Sequence, residues 1–541
     1  MPASAKLFYV AQNSTRTTGG TSCATALSVA WFNNPLSWGS ASNQISPDTV
    51  VHLCGTFRGT PGQQLLKAHG SGWAGHPITI KFETGANLSA PYWSNQGAIN
   101  IERVSYITID GGANGVIQNT DNGTTRHYHQ QSKGIRAAFC TGCTVKNLTI
   151  QNLYVRTSPT DLSVSQETTC VYGHESNYFT VSHITCHDAV WAVIADGNRF
   201  TLDTSNLYRV DHGLASGPAH QVGGYSIHDN HFHDTANWDS PNNYYHHDGI
   251  HMWGKNGGAI TSGSIYNNTF DGDFGVNITA HIFLQDSIRN VHVYNNTTRT
   301  PAYRNMISVW FYAPSTSLPG GNATGNSAYN NSLNAGGHKS GSAIYATGQF
   351  QFTAVNNVLS GGSSNISIQG GGTRSSTGVN HNVYRDLFAE IGDLNVFGFQ
   401  GKSYHALPTW RTACHCDASS TVVTSAQTTA FSATNTVDAP TVYSGTVGLT
   451  RTAAAEAVSE TISETGSAEV TPAGAEVTLA RAAEPSESPE SENEAMDYLA
   501  TLGVGQGLNL SEIAKDDLAP LAMDKNGVAR PISGPWNIGP Q

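Results

Sequence analysis

Polar and apolar positions recur along this chain in short blocks rather than in helical stripes. The clearest are 227-IHDNHF, 265-IYNNTF, 293-VYNNTT, 328-AYNNSL, 354-AVNNVL and 379-VNHNVY. Each carries a small or branched apolar residue, an Asn three positions later, and usually a second apolar residue two beyond. The shared asparagines are Asn230, Asn268, Asn296, Asn331, Asn357 and Asn382, spaced 25 to 38 residues apart. Earlier blocks such as 145-VKNLTI and 181-VSHITC keep the apolar frame without the Asn. Short strands at such a period, joined by Gly-rich connections, predict a solenoid of parallel strands. Asn at one turn position predicts a ladder of side-chain amides bonded up the stack, a structural role. The expected fold is all-β, a right-handed parallel β-helix over residues 41–415, behind an N-terminal cap (1–40) in which Trp31, Phe32 and Trp38 cover the first rung.

Composition sharpens this picture. Only 12 % of the 541 residues are charged, and the abundance of Gly, Asn, Ser and Thr disfavours helix. No apolar run reaches the roughly 20 residues of a membrane span. The net charge of −12 belongs mostly to one end: residues 451–541 hold 15 acids and 5 bases, a net of −10. The body is thus nearly neutral and shows no basic stripe for nucleic acid. Residues 416–495, with 484-EPSESPESENE at the extreme, read as a linker-like segment of low complexity, and 496–541 as a segment that folds back on the solenoid.

The eight cysteines suggest an oxidising compartment, with Cys23–Cys54 and Cys170–Cys186 as plausible bridges. Zinc ligation by the close pairs Cys140/Cys143 and Cys414/Cys416 is a lesser alternative. The start, MPASAKLFYV, has no apolar signal core, so a secreted protein is expected here as the mature chain behind an added Met.

Candidate chemistry is concentrated in one region. Eight of the 22 histidines lie between His212 and His251, and 244-YYHHDGIHMWG holds three of them with Asp248. Taking Ile250 and Met252 as inward, alternation points His247, His251 and Trp253 outward, and likewise His231 and His233 around an inward Phe232. Asp188, Asp211 and Asp234 are each 23 residues apart, with Asn152 at the equivalent place one rung earlier. At about 4.8 Å per rung, carboxylates in register would form a ladder needing a cation, a shared proton or a substrate. The excursion 235-TANWDSPNNYY offers Trp238, Tyr244 and Tyr245 as an aromatic wall, or as pins for the loop itself.

The FYV start, the stacked rungs and the closing Asp524-x-x-Gly527-x-x-Arg530-Pro531 with Trp536 together resemble secreted right-handed β-helix proteins of the pectate-lyase-like superfamily. That resemblance implies a fold and a polysaccharide partner more than an activity, since the superfamily hosts lyases, hydrolases, epimerases and adhesins. Three readings follow. In a lyase acting by β-elimination on a uronic-acid-containing glycan, His247 or His251, beside Asp248, would serve as base. Tyr244 or Tyr245 would be the acid, Arg209 would face the substrate carboxylate, and Ca²⁺ would sit in the Asp188/Asp211/Asp234 ladder. Trp238, Tyr244, Trp253, His212 and His233 would line the groove. In a glycoside hydrolase, two of the ladder aspartates would act as the catalytic pair. The third reading is a glycan-binding protein without catalysis. Polygalacturonase motifs do not decide among them: Asn119–Thr120–Asp121 is present, but only Asp211–His212–Gly213 echoes the remaining elements, and the Arg-x-Pro-x-x-Arg of classical pectate lyases is missing.

Overall fold

The computed structural model describes residues 6–424, apart from 164–167, 255–256, 314–322, 338–339, 371–377 and 387–396, together with 510, 521–531 and 536. The linker-like segment from 425 to 495 lies outside the described residues. Among the described residues, thirty-four strands join in one hydrogen-bonded sheet, and every strand pairing within it is parallel except Phe397–Phe399 with Lys402–Tyr404. The chain coils as a right-handed parallel β-helix in which each strand pairs with its counterpart one turn on.

Three stacks of strands result. One runs through Tyr225–His228, Gly263–Tyr266 and Val291–Tyr294. The second runs through His231–His233, Thr269–Asp271 and Thr297–Arg299. The third passes through Asn206–Ser216, His247–Trp253 and Ile278–Gln285. Inward residues such as Ile227, Phe232, Ile250 and Met252 are buried in a single core that runs the length of the coil. Alternation explains this: in a strand every second side chain points to the same face.

The asparagine ladder is continuous. Each Nδ2 donates to the next Oδ1 at 2.9–3.1 Å, from Asn230 through Asn268, Asn296, Asn331 and Asn357 to Asn382. The residue before each ladder Asn, among them Asn267, Asn295, Asn330 and Asn356, sits in the left-handed region. Asn tolerates that conformation better than most residues, which explains the NN doublets: the first turns the chain and the second joins the ladder. Asn331→Ala should therefore cost about 3–5 kcal/mol, because four hydrogen bonds are lost around buried amides at roughly 1 kcal/mol each, with partners left unsatisfied. A shift of the urea midpoint at unchanged slope would measure it.

The ends modify the expected boundaries. Leu7–Val10 already pairs with Val50–Leu53, so the first rung lies inside the segment assigned to the cap. Trp31, Phe32 and Trp38 are buried over it. At the other end Thr421–Thr424 still pairs with Val383–Asp386, beyond residue 415. Helix Leu407–Cys414 closes that end, with Trp410 stacked on Phe397 at 5.2 Å and donating to Asp417. From the C-terminal segment, Leu510, Leu521 and Trp536 pack on Tyr294, Tyr329 and Val355, and Arg530 donates to Asn295 Oδ1. Four disulfides are present. Cys23–Cys54 and Cys170–Cys186 form as expected, while Cys140–Cys143 and Cys414–Cys416 bond to one another rather than holding zinc.

Candidate functional site

The expected carboxylate ladder is not a ladder. Strand register sets His187 opposite Tyr208 and Tyr208 opposite His233, so the residues that follow them, Asp188, Arg209 and Asp234, share one column at the turn. All three adopt left-handed backbone, as does Asn152. Arg209 fills the place expected for Asp211 and donates to Asp188 Oδ1 from Nε at 3.0 Å and Nη2 at 2.9 Å. The carboxylate charge is thus answered from within, and the column needs no metal. His187 and His233 donate from Nδ1 to the aspartates that follow them, each at 2.7 Å. Such strand-end His–Asp pairs account for part of the local histidine density.

Asp211 lies two residues beyond Arg209, on the strand of the third stack, where it begins a different network. Its Oδ2 accepts from His212 Nδ1 at 2.7 Å and its Oδ1 from His247 Nδ1 at 2.8 Å. His247 Nε2 in turn donates to Asp239 Oδ1 at 3.0 Å. Asp239 belongs to the excursion, which is pinned from below. The fully buried Arg156 donates to the carbonyls of Asn237 and Asp239, and Trp238 donates to the carbonyl of Arg209. Trp238 and Tyr245 are buried with Tyr154 and Val190. They hold the loop and present no face to a substrate, a correction to the aromatic wall. Only Tyr244, 46 % exposed, stands open.

His247 points outward by alternation yet is fully buried, because the excursion lies over it and both ring nitrogens are engaged. It is therefore unsuited to be the base. Beyond His212 the network converges. His212 stands opposite Asp248 and Ala215 opposite His251, which brings His212, His246, Asp248 and His251 into one cluster whose ligand-type atoms all lie within 4.8 Å of one another. Asp248 Oδ2 is 3.3 Å from His212 Nε2, 3.6 Å from His251 Nδ1 and 3.9 Å from His246 Nε2. Glycine is required beside it: a Cβ on Gly213 or Gly249 would meet the ring of Phe232 or Phe270 at 2.4–2.5 Å.

The electrostatics follow from burial and pairing. Burial opposes ionisation of Asp211, but the neighbouring His212 charge and hydrogen bonds from both imidazoles outweigh it and hold its carboxyl well below the usual range. Burial pushes His212 down, yet Asp211 and Asp248 override it and lift the imidazole to about 9. His247 is raised in the same way, by Asp211 and Asp239 against burial. His251 is pushed down to about 4, chiefly by burial. His246 is lowered by burial and by His212. Calcium does not fit this donor set, since it takes six to eight oxygens and the cluster offers three imidazoles and one carboxylate.

One feature of the same face escaped the sequence reading. In the strand column that starts at His251, register places Phe283, Trp310 and Tyr345 one above another, with ring centroids 4.7, 4.8 and 5.5 Å apart. Trp253 lies beside the first of them, 4.6 Å from His251. The stripe leads to a recess of about 400 Å³ lined by Tyr345, Ser367, Gln369 and Lys402 among others. A signal was present: each aromatic follows a ladder Asn (Asn268, Asn296, Asn331) by 14 or 15 residues.

No protein-family model matches the chain, and no curated protein matches it significantly. Among solved structures it is similar to the PL6 family alginate lyase AlyGC (12 % identity, TM-score 0.39, 63 % of this chain and 49 % of that one). It is also similar to the pectate lyase Pel9A (14 %, 0.34, 74 % and 82 %) and to the tailspike protein of E. coli bacteriophage HK620 in a double-mutant form (11 %, 0.42, 70 % and 69 %). The match spans about half the length of the alginate lyase. Likenesses this distant assign no activity.

Proposed function

We propose that the protein is an extracellular polysaccharide lyase that cleaves a uronic-acid-containing glycan by β-elimination. The observation that carries this reading is the position of His246: a half-exposed imidazole at the edge of a buried His/Asp cluster, from which a stripe of aromatic rings runs along the coil. Phe283 is buried between the rings of His251 and Trp310, while the half-buried Trp310 and Tyr345 present ring edges, one rung apart, along which a glycan chain can lie. In the reaction, His246 Nε2 takes the proton α to the uronate carboxylate and the C4–O4 bond breaks. The electron pair leaves with the glycosidic oxygen, which takes a proton from the Tyr244 hydroxyl, and a C4=C5 double bond remains in the product. Arg209, half-exposed and paired with Asp188 through Nε and Nη2, is assigned to the substrate carboxylate through the guanidinium donors that this pair leaves over.

The hydrolase reading has less support. Asp211 has both oxygens occupied by imidazoles, Asp188 is held by His187 and Arg209, and Asp234 accepts from His233 and from the Asp273 amide. No two of the three are open as the facing acid and base that glycoside hydrolysis uses.

A panel of acidic and neutral polysaccharides, followed both by absorbance near 235 nm and by reducing ends, tests the reading. Absorbance rising with reducing ends on an acidic glycan is the expected result. Reducing ends alone would replace elimination with hydrolysis, and glycan binding without either product would leave the stripe as a recognition surface.

A further inference from the structure

Three ligand-type atoms, His212 Nε2, His251 Nδ1 and Asp248 Oδ2, meet at the centre of the cluster. Asp211 Oδ2 takes the Nδ1 proton of His212, which aims Nε2 inward; a metal bound there would displace the proton that this nitrogen otherwise keeps. Gln285 Oε1 takes the Nε2 proton of His251 at 3.0 Å, which turns its Nδ1 lone pair inward. Asp248 Oδ1 accepts from the Ala280 amide at 3.0 Å, which aims Oδ2 at the same point. That Oδ2 is buried and makes no hydrogen bond, on a residue with 0 % exposure. A buried carboxylate oxygen without a hydrogen bond is costly, and its charge is met either by a proton on His212 Nε2, 3.3 Å away, or by a cation bound between the three atoms.

We propose that His212 Nε2, Asp248 Oδ2 and His251 Nδ1 bind a divalent transition-metal ion of the zinc class. Ligand atoms 2.0–2.1 Å from zinc in a tetrahedral array stand roughly 3.3 Å from one another. The three separations here are 3.3 Å (His212 to Asp248), 3.4 Å (His212 to His251) and 3.6 Å (His251 to Asp248). Imidazole and carboxylate together suit zinc and its neighbours, whereas calcium takes oxygen alone. The supporting shell of such a site is also present. Asp211 orients His212 as carboxylates orient metal-bound imidazoles elsewhere, and the chain continues through His247 to Asp239, so the ligand ring is fixed from three residues deep. His246 Nε2, at 3.9 Å from Asp248, is the fourth ligand-type atom of the cluster and stands outside this closer triad. The inference stands apart from the lyase reading: the metal is counted directly, and activity is counted separately.

The test uses the full chain without a histidine tag. Metal content as isolated, and titration calorimetry after chelation with Zn²⁺, Mn²⁺ and Ca²⁺, should show one equivalent of Zn²⁺ and none of Ca²⁺. Asp248→Asn and His251→Ala should each weaken Zn²⁺ at least 100-fold. Asp211→Asn should weaken it 10–100-fold through the orientation of His212. His246→Ala should hold it within tenfold. Circular dichroism establishes that each variant folds, and His251→Ala, which leaves the Asp211 clamp intact, carries the test if Asp248→Asn does not. An apo protein that takes up no equivalent of Zn²⁺ would overturn the inference and leave a second proton on His212 as the bridging charge. One equivalent that persists in both ligand variants would overturn it equally, by locating the ion on surface histidines. A protein that binds Zn²⁺ at the triad but yields no unsaturated product would retain the site and refute the lyase; elimination by a protein that takes up no Zn²⁺ would do the reverse.

Discussion

Asp211→Ala is expected to destabilise the protein by about 3–5 kcal/mol, the range for removing one partner of a buried charge pair. Asp211 is 3 % exposed and its two oxygens link His212 to His247. Without it, two imidazoles that are almost fully buried lose the charge that holds them, and Asp239 is left to satisfy His247 alone. Asp234→Ala is the control. That carboxylate is 54 % exposed in its side chain and pairs with His233 at the surface, so its loss should cost under about 1 kcal/mol. Urea midpoints for the two variants, read at constant slope, make the comparison. A loss for Asp211→Ala no larger than that for Asp234→Ala would mean that the buried chain does not hold the strand His247–Trp253 to its neighbour.

The contrast between these two aspartates also shows what the sequence could reveal. The asparagine ladder was legible because its chemistry repeats: one amide per turn, in the same short frame, with an αL residue before it. The aspartate spacing was equal and misleading. The turn from Asp188 to Arg209 takes 21 residues and that from Arg209 to Asp234 takes 25, as the strand register fixes. Asp211 sits midway by number without sharing the rung position. A solenoid turn varies in length, so register has to be counted from paired strands. Alternation was right for Ile250 and Met252, which face the core, and for the outward direction of His247. It could not foresee that the excursion, held by Arg156 and Trp238, would bury His247 and Tyr245. The cluster itself lay within 212–251, where the histidines are densest, but its members come from neighbouring strands 36 residues apart, as with His212 and Asp248. The aromatic stripe needed the same alignment, because Phe283, Trp310 and Tyr345 belong to three successive turns.

His246→Ala should lower kcat for elimination by about 10²–10⁴, the usual contribution of a positioned general base, which corresponds to roughly 3–5 kcal/mol of barrier. The choice among the histidines rests on access. His247 has no lone pair to offer, His212 is 1 % exposed, and His251 is 8 % exposed with its ring stacked on Phe283. His246 is held edge-on to both His212 and His251, at 5.1 and 5.7 Å between centroids, so its ring is oriented while its outer edge reaches solvent. KM should change little, because the stripe rather than the base carries the glycan. Imidazole added to the assay should restore part of the lost rate, since truncation opens space where the ring stood and removes nothing else from the cluster. The Zn²⁺ content of the variant should match the wild type. A variant that keeps kcat within threefold would move the base elsewhere. A rate loss accompanied by loss of the metal would mean that His246 acts through the ion rather than on the sugar, and would make it a positioning residue rather than a catalytic one.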